Sequence, residues 1–403
     1  MTTKVNSLKN LINDYGNPDA LIDNFSTNDY GYAIWGFSEI LEFSNNGLYY
    51  NGIQKNNDPF DELQTFCNSL GKSNDLIATI GFISYDIKNY LYPHIDFKKY
   101  DGKMPLFWFA KPKKIIKYTL DDYEVDDNTK FLKSNNSHLD LSDYKYAIDQ
   151  IKDYLYSGNT YQINFTFSKS YTLDTDPLSA YLAIRNKAKP EFGYYINTGL
   201  DAILSFSPEQ FFYKNINQIN TYPMKGTQLR DINSAKDQEL KNKLHNSVKD
   251  KAEHLMIVDL LRNDIGKICK YGSVNVNDLF NINSYPTVHQ MVSHIYGDLN
   301  NNINETDIFR ALLPGGSITG APKESSMKII DLLENYNREI YTGTIGYIDS
   351  SGNMNFNIAI RTMSIRNSIG VYPVGGGIVW DSQPNQEWDE AHLKSEILNK
   401  FIY

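Results

Sequence analysis

Cysteine is nearly absent. Cys67 and Cys269 are the only two in 403 residues, too few for a disulfide scaffold and without the spacing of a zinc site. Also missing is any basic run able to track a phosphate backbone, and 39 Lys and Arg against 48 Asp and Glu leave a net charge of −9. Nucleic acid is therefore not an expected partner. No stretch reaches the ~18 apolar residues of a spanning helix: Asp259 interrupts Leu255–Leu261, and the opening MTTKVNSLKNLINDYG has no apolar signal core. A cytoplasmic protein without membrane association is the expectation. With 41% apolar and 22% charged residues, collagen, low-complexity disorder and a coiled coil are excluded. The length allows two or three domains, or one with a compound core.

What is present reads as strands with helices between them. Tyr32–Phe37, Ile80–Tyr85 and Pro105–Ala110 are short aromatic runs bounded by Gly, Asn or Asp, a strand-and-turn pattern. The polar stretch 126–143 reads as a surface connection. After it, Tyr144, Ile148, Ile151 and Leu155 share a helical face with Ser142 as N-cap and Gly158 as stop. In Tyr161–Tyr171, Ile163, Phe165 and Phe167 alternate with Gln162, Asn164 and Thr166, giving a strand with one polar face. Further strands are expected near 203–213 and 219–227. A helix should open at Ser234 with Asp237 in its cap and Leu240, Leu244 and Val248 in one stripe. Others should cover 250–264, the stretch from Ala321-Pro322 to about 335, and the segment from about 385. Tyr341–Asp349 and Met354–Ile365 read as a hairpin. Mostly antiparallel strands with separate helices make the class α+β.

Four segments carry charge that a simple surface does not require. Glu209 ends the apolar strand in AILSFSPEQFF; taken alone it also fits an exposed turn. Lys225 stands in Pro223-Met224-Lys225-Gly226-Thr227, where Gly226 permits close approach of a ligand and Thr227 adds a donor. KDKAEHLMIVDLLRND places Asp250 and Glu253 at i, i+3, with Asp259, Arg262 and Asp264 further on, and QEWDEAHLK places Glu387, Glu390 and Lys394 on one helix face. Facing carboxylates from two helices would suit Mg²⁺; separately, each run also fits a solvated helix face. PGGSITGAPK, Pro314–Lys323, lacks the Gly-Lys-Ser/Thr of a nucleotide loop, leaving backbone N–H groups and Ser317 for some other anion. Arg361, opposite Phe356, Ile358 and Ile360 on its expected strand, can grip a carboxylate or form a surface salt bridge. Cys269 and the seven histidines show no nucleophile–base spacing and read as structural.

In order, GFISYD, SPEQF, PMKGT, KDKAEHLMIVDLLRND, PGGSITGAPK, YTGTIGY, IAIRT and GGGIVWDSQPNQEWDEAHLK resemble the chorismate-utilising enzymes, which include anthranilate, aminodeoxychorismate, isochorismate and salicylate synthases. The resemblance implies an α/β/β/α sandwich, with an N-terminal region 1–127, a connection 128–143 and a chorismate-binding catalytic region 144–403 packed as one unit. It implies Mg²⁺ on Glu253 and Glu390, supported by Glu387 and Asp250. It also implies Lys225 as covalent nucleophile and Glu209 as general acid. Substrate would lie against Gly226, Thr227, Ser317, Tyr341, Arg361, Gly375, Gly376, Gly377 and Lys394. Gln162 occupies the place of the hydroxylating members' lysine base, and Lys225 the place where anthranilate synthases usually carry alanine. Ammonia is then the expected nucleophile, supplied by a separate glutamine amidotransferase subunit, and 4-amino-4-deoxychorismate, on the route to para-aminobenzoate and folate, the expected product; the alternatives are an anthranilate synthase component I and a catalytically idle chorismate-binding subunit. Phe43 replaces the serine of the tryptophan-regulated members, and His289-Gln290 stands where many relatives have histidine second.

Overall fold

The computed structural model describes residues 6–403 apart from 26–28, 71–76, 121–128, 136–138 and 286–287. The 21 strands among the described residues join in one hydrogen-bonded network. Among the described residues the strand pairings are antiparallel except for Asn6–Ser7 against Tyr118–Thr119. The class is α+β.

The layering follows from which way alternate residues point. On Ala20–Asp23, Phe192–Asn197 and Ala202–Ser207, the residues Leu21, Tyr195 and Leu204 pack with Ile148 and Ile151 of the helix Leu141–Tyr156 and with the helix Pro177–Ala188. Their neighbours Ile22, Ile196 and Ile203 point the other way, into an apolar layer shared with Phe82, Trp108 and Ile345. From that second sheet layer Ile83, Phe107, Phe109 and Phe356 face the helices Pro59–Asn68, Val248–Gly266 and Glu305–Leu312. Three apolar strata between helix, sheet, sheet and helix make the α/β/β/α sandwich.

The strands Tyr30–Ser44 and Phe107–Thr119 are long enough to serve both layers. Ala33 and Tyr118 lie in the first helix–sheet stratum, while Leu41, Phe107 and Phe109 lie in the other. Their pairing shifts register between Phe37 and Glu39, a bulge that bends a strand.

Several local expectations are revised. The helix Leu141–Tyr156 is capped by Asp140, which accepts from the Ser142 and Asp143 N–H groups, so Ser142 is inside the helix. Within 128–143, Phe131 and Leu132 are buried and Leu132–Ser134 is a strand against Leu173–Tyr171, because two large apolar residues outweigh the polar composition around them. Asn233 caps Ser234–Asn246, and Asp237 instead accepts from Arg230 and His289. Val248 is exposed and begins the next helix rather than extending the Leu244 stripe. Each of the two strands expected at 203–213 and 219–227 is broken into a pair, Ala202–Ser207 with Gln210–Asn215 and Gln218–Thr221 with Met224–Leu229. Gly320–Ala321 pairs with Ile163 and Gln162 instead of opening a helix, which runs from Lys323 to Leu333. The expected strand Met354–Ile365 ends at Ile358 and resumes at Thr362.

Candidate active site

A cavity of about 640 Å³ collects side chains from all four charged segments. The Ser207-Pro208-Glu209 turn reaches it because the Ser207 hydroxyl bonds the Ile358 carbonyl at 2.6 Å and accepts the Glu209 N–H at 3.2 Å. The Glu209 carboxylate accepts from the Ser317 hydroxyl at 3.3 Å. Across the cavity, Lys225 sits on Met224–Leu229 beside a bulge at Gly226, whose φ is +73°. Any Cβ there would stand 3.0 Å from the Asp250 carboxylate and from Leu244. The bulge lets the consecutive residues 224–227 all line the cavity. The Lys225 amine faces the Ser317 carbonyl at 3.5 Å.

Burial pushes the Glu209 carboxyl above its usual range, although Lys225 and Ser317 act against the shift. Burial pulls the Lys225 amine down against the attraction of Glu209, Glu253 and Glu390, with Lys394 adding to the fall. The two shifts favour a protonated acid beside a neutral amine, the states that proton donation and nucleophilic attack need.

The helices Val248–Gly266 and Pro384–Leu393 bring Asp250, Glu253, Glu387 and Glu390 to the same cavity. Glu253 has Lys249 at 3.9 Å and Glu390 has Lys394 at 2.9 Å. Burial, with Asp250 and Glu387 adding, keeps the Glu253 carboxyl raised despite Lys249 and Lys225. Burial and then Glu390 raise Glu387 against a Ser382 hydrogen bond. At Glu390 the Lys394 ammonium outweighs burial and lowers the carboxyl. No three His, Cys, Asp or Glu side chains among the described residues converge into a cage. Mg²⁺ needs only one or two protein carboxylates when substrate and water complete its shell, and four mutually repelling carboxylates in one cavity fit that requirement.

Strand Ile369–Ile378 supplies Gly375, Gly376 and Gly377. A Cβ on Gly376 would come within 3.4 Å of the Lys394 amine and 3.6 Å of Glu387, so glycine keeps this wall open to the charged helix face. Lys394 also donates to the Gly375 carbonyl at 2.8 Å. Arg361 is not on a strand: its φ is +49°, it is exposed, and it has no ion-pair partner among the described residues. A non-glycine residue held there marks a constrained position, and its guanidinium lines the cavity.

The cavity therefore gathers every residue that the resemblance assigns to substrate, metal or catalysis: Glu209, Lys225, Gly226, Thr227, Asp250, Glu253, Ser317, Tyr341, Arg361, Gly375, Gly376, Gly377, Glu387, Glu390 and Lys394. It does not include Asp259, Arg262 or Asp264. Asp259 and Arg262 pair with each other on the surface, and Asp264 is buried against Lys323 at 2.6 Å. The glycine-rich loop contributes only Ser317 and Ile318; the helix after it starts with Lys323 engaged elsewhere. His289 bonds Ser284 and Asp237 while Gln290 lines the cavity. Lys249 and Tyr372 were missed, though Lys249 lies four residues before Glu253 and Tyr372 shares the strand of the triple glycine.

The sandwich thus brings an acid, a half-buried amine, clustered carboxylates and a guanidinium with no ion-pair partner among the described residues to one cavity. Residues 21–400 match the chorismate binding enzyme family, and the chain belongs to that family. It is 41% identical over 258 residues to aminodeoxychorismate synthase component 1 of Escherichia coli, covering 64% of this chain and 57% of that one. Anthranilate synthase component 1 of Saccharolobus solfataricus is 33% identical over 336 residues, 80% of each chain. The crystal structure of anthranilate synthase component I from Streptococcus pneumoniae superimposes with a TM-score of 0.82 at 24% identity over 92% of each chain. The match thus spans little more than half the length of the Escherichia coli relative. Among the described residues no helix is long and apolar enough to cross a membrane.

Proposed function

We propose that the chain is the chorismate-aminating subunit of an aminodeoxychorismate synthase, making 4-amino-4-deoxychorismate from chorismate and ammonia. The observation that carries the reading is the joint placement of Lys225, lowered, and Glu209, raised, on one cavity with Ser317 between them. Glu209 protonates the departing C4 hydroxyl while the Lys225 amine bonds to C2, both conjugated ring double bonds shifting by way of C1, C6 and C5 as the C4–oxygen bond breaks. Ammonia then bonds to C4, both double bonds shift back, and the C2–nitrogen bond to Lys225 breaks. The Glu209 carboxylate takes up a proton from the incoming ammonium, so chorismate and ammonia become product and water.

Arg361, Tyr341, Lys394 and the Gly375–Gly377 amides hold the enolpyruvyl carboxylate. Glu253 and Glu390 would hold Mg²⁺, with Glu387 and Asp250 behind them; when bound, the ion supplies positive charge to the ring carboxylate. The Gln162 side chain is buried and its Oε1 has no hydrogen-bond partner among the described residues. It can accept a hydrogen bond from ammonia and cannot deprotonate water.

Incubation with chorismate, Mg²⁺ and an ammonium salt at alkaline pH is expected to give 4-amino-4-deoxychorismate, identified by mass and chromatography. Anthranilate as the main product would favour the second reading, which the match to the Saccharolobus protein supports; isochorismate would overturn both. Glutamine alone should support turnover only when a separate amidotransferase subunit is added.

Glu390→Gln should raise the Mg²⁺ concentration for half-maximal rate by roughly 10-fold or more and weaken chorismate binding in parallel. An unchanged Mg²⁺ titration would remove Glu390 from the metal site.

A further inference from the structure

Beneath the cavity lies an ion pair that the chemistry above does not use. Arg338 and Glu334 are 2% and 6% exposed, and all five guanidinium N–H groups are engaged. Nε and Nη2 grip the two Glu334 oxygens at 2.7 Å each. Nη2 also donates to the Asn164 carbonyl at 2.6 Å, and Nη1 donates to the Ile318 carbonyl at 2.9 Å and the Thr342 hydroxyl at 3.2 Å. Glu334 in turn accepts the Thr166 N–H and hydroxyl, both at 2.8 Å.

These partners have one thing in common. Asn164 and Ile318 line the cavity, Thr342 follows the cavity residue Tyr341, and Ile318 follows Ser317, whose hydroxyl meets Glu209 and whose carbonyl faces Lys225. One planar cation thus ties the strand Gln162–Leu173, the Gly316–Ile318 turn and the Tyr341 turn into a fixed relation. A fully buried ion pair is weak evidence for stability, since desolvation offsets most of its attraction. Its geometric precision is the better reason for a bidentate arginine with no spare donor.

We propose that Arg338, held by Glu334, is a positioning residue that sets Ser317 and thereby the Glu209–Lys225 pair. The inference rests on the reading that chorismate reacts at Glu209 and Lys225. Arg338→Lys keeps the charge but cannot make the five-fold set, and displacement of a reacting group by about 1 Å can cost roughly 100-fold. Its kcat for chorismate consumption should fall roughly 10-fold to 100-fold, with KM unchanged within about 2-fold because Arg361 and the glycine wall remain.

A second cavity of about 310 Å³ lies on the other side of the pair, lined by Tyr85, Lys88, Lys98, Glu334 and Arg338. It offers a small cation a way in. Guanidinium chloride well below denaturing concentration should restore part of the kcat of Arg338→Ala, whereas sodium chloride at equal ionic strength should not. In Ser317→Ala, Arg338→Lys should cost less than it does in the wild type, because the two act through one turn.

Folded enzyme is counted by circular dichroism, and the readout is chorismate loss whatever the product. A product other than aminodeoxychorismate therefore sinks the functional reading without touching this inference. Unchanged kcat per folded Arg338→Lys enzyme, a loss wholly in KM, or additive effects with Ser317→Ala would overturn it.

Discussion

Lys225→Ala is expected to aminate chorismate on the order of 10³-fold more slowly than wild type while binding it with nearly the same Kd. The groups assigned to the carboxylates, Arg361, Tyr341, Lys394 and the glycine strand, lie elsewhere on the cavity wall, so the ground-state complex should survive. With ammonia withheld, wild type should accumulate protein heavier by one dehydrated chorismate, the modified peptide containing Met224-Lys225-Gly226. The alanine variant should show none. Slow hydrolysis could drain the adduct, so the decisive reading is the rate: amination by Lys225→Ala at wild-type speed would make the amine an electrostatic neighbour. The pH dependence gives an independent check. The rate needs Lys225 neutral and Glu209 protonated. It should therefore fall on acidification through the amine's titration, which lies below the ordinary lysine range, and fall again on the alkaline side as Glu209 loses its proton above the ordinary carboxylate range. Glu209→Gln should remove the alkaline limb together with most of the rate.

Asp264→Ala should cost about 3–5 kcal/mol of folding free energy, the usual penalty for stranding a buried charge. Asp264 and Lys323 side chains are 1% and 7% exposed and 2.6 Å apart, and among the described residues Lys323 has beyond that only the Leu312 carbonyl at 3.3 Å. Lys267, at 2.9 Å from the other Asp264 oxygen, is half-exposed and can turn to water. Burial already lowers the Lys323 amine against the pull of Asp264, and loss of the carboxylate lowers it further. Between that folded value and the ordinary lysine value the unfolded chain binds more protons, so the variant should regain stability as pH rises through this window. Asp264→Leu with Lys323→Met, which removes both charges, should lie near wild type. Urea unfolding of the three proteins at neutral and alkaline pH measures this; a single-variant loss under about 1 kcal/mol would mean the lysine finds water.

The sequence made most of the cavity legible because its residues sit in short contiguous runs whose local spacing is informative. Asp250 and Glu253, then Glu387, Glu390 and Lys394, share helix faces by period alone. The Gly226 and Gly375–Gly377 positions marked close approach. What escaped was set by distant segments. Thr79–Ile83 and Ala202–Ser207 are buried on both faces, so no alternation distinguishes them and only tertiary pairing fixes their ends. Local geometry allows Asp237 at a helix start to serve as a cap, yet Arg230 and His289, the latter 52 residues away, take it. The alternation of its neighbours suggests a strand at Arg361, while the chain there turns through a left-handed residue that no propensity favours. Arg338 gave no signal: an arginine between Asn337 and Glu339 looks like surface until three separate segments close around it.

The wall formed by Gln162–Leu173 and Ile369–Ile378 has a consequence for how the molecule comes into being. These strands lie about 200 residues apart in the chain yet pair over ten positions. At roughly 5–20 residues per second of synthesis, the first strand waits on the order of 10–40 s with one edge unpaired. During that interval Ile163, Phe165 and Phe167 form an apolar ribbon beside an open edge, a template for wrong partners. Contacts so distant in sequence also form late and slowly in refolding. Messenger truncation anywhere before Ile369 would release a chain lacking not only this wall but the helix bearing Glu387 and Glu390, so no shorter ribosomal product can be a weaker enzyme; it can only be a burden on the chaperones that shield its edge.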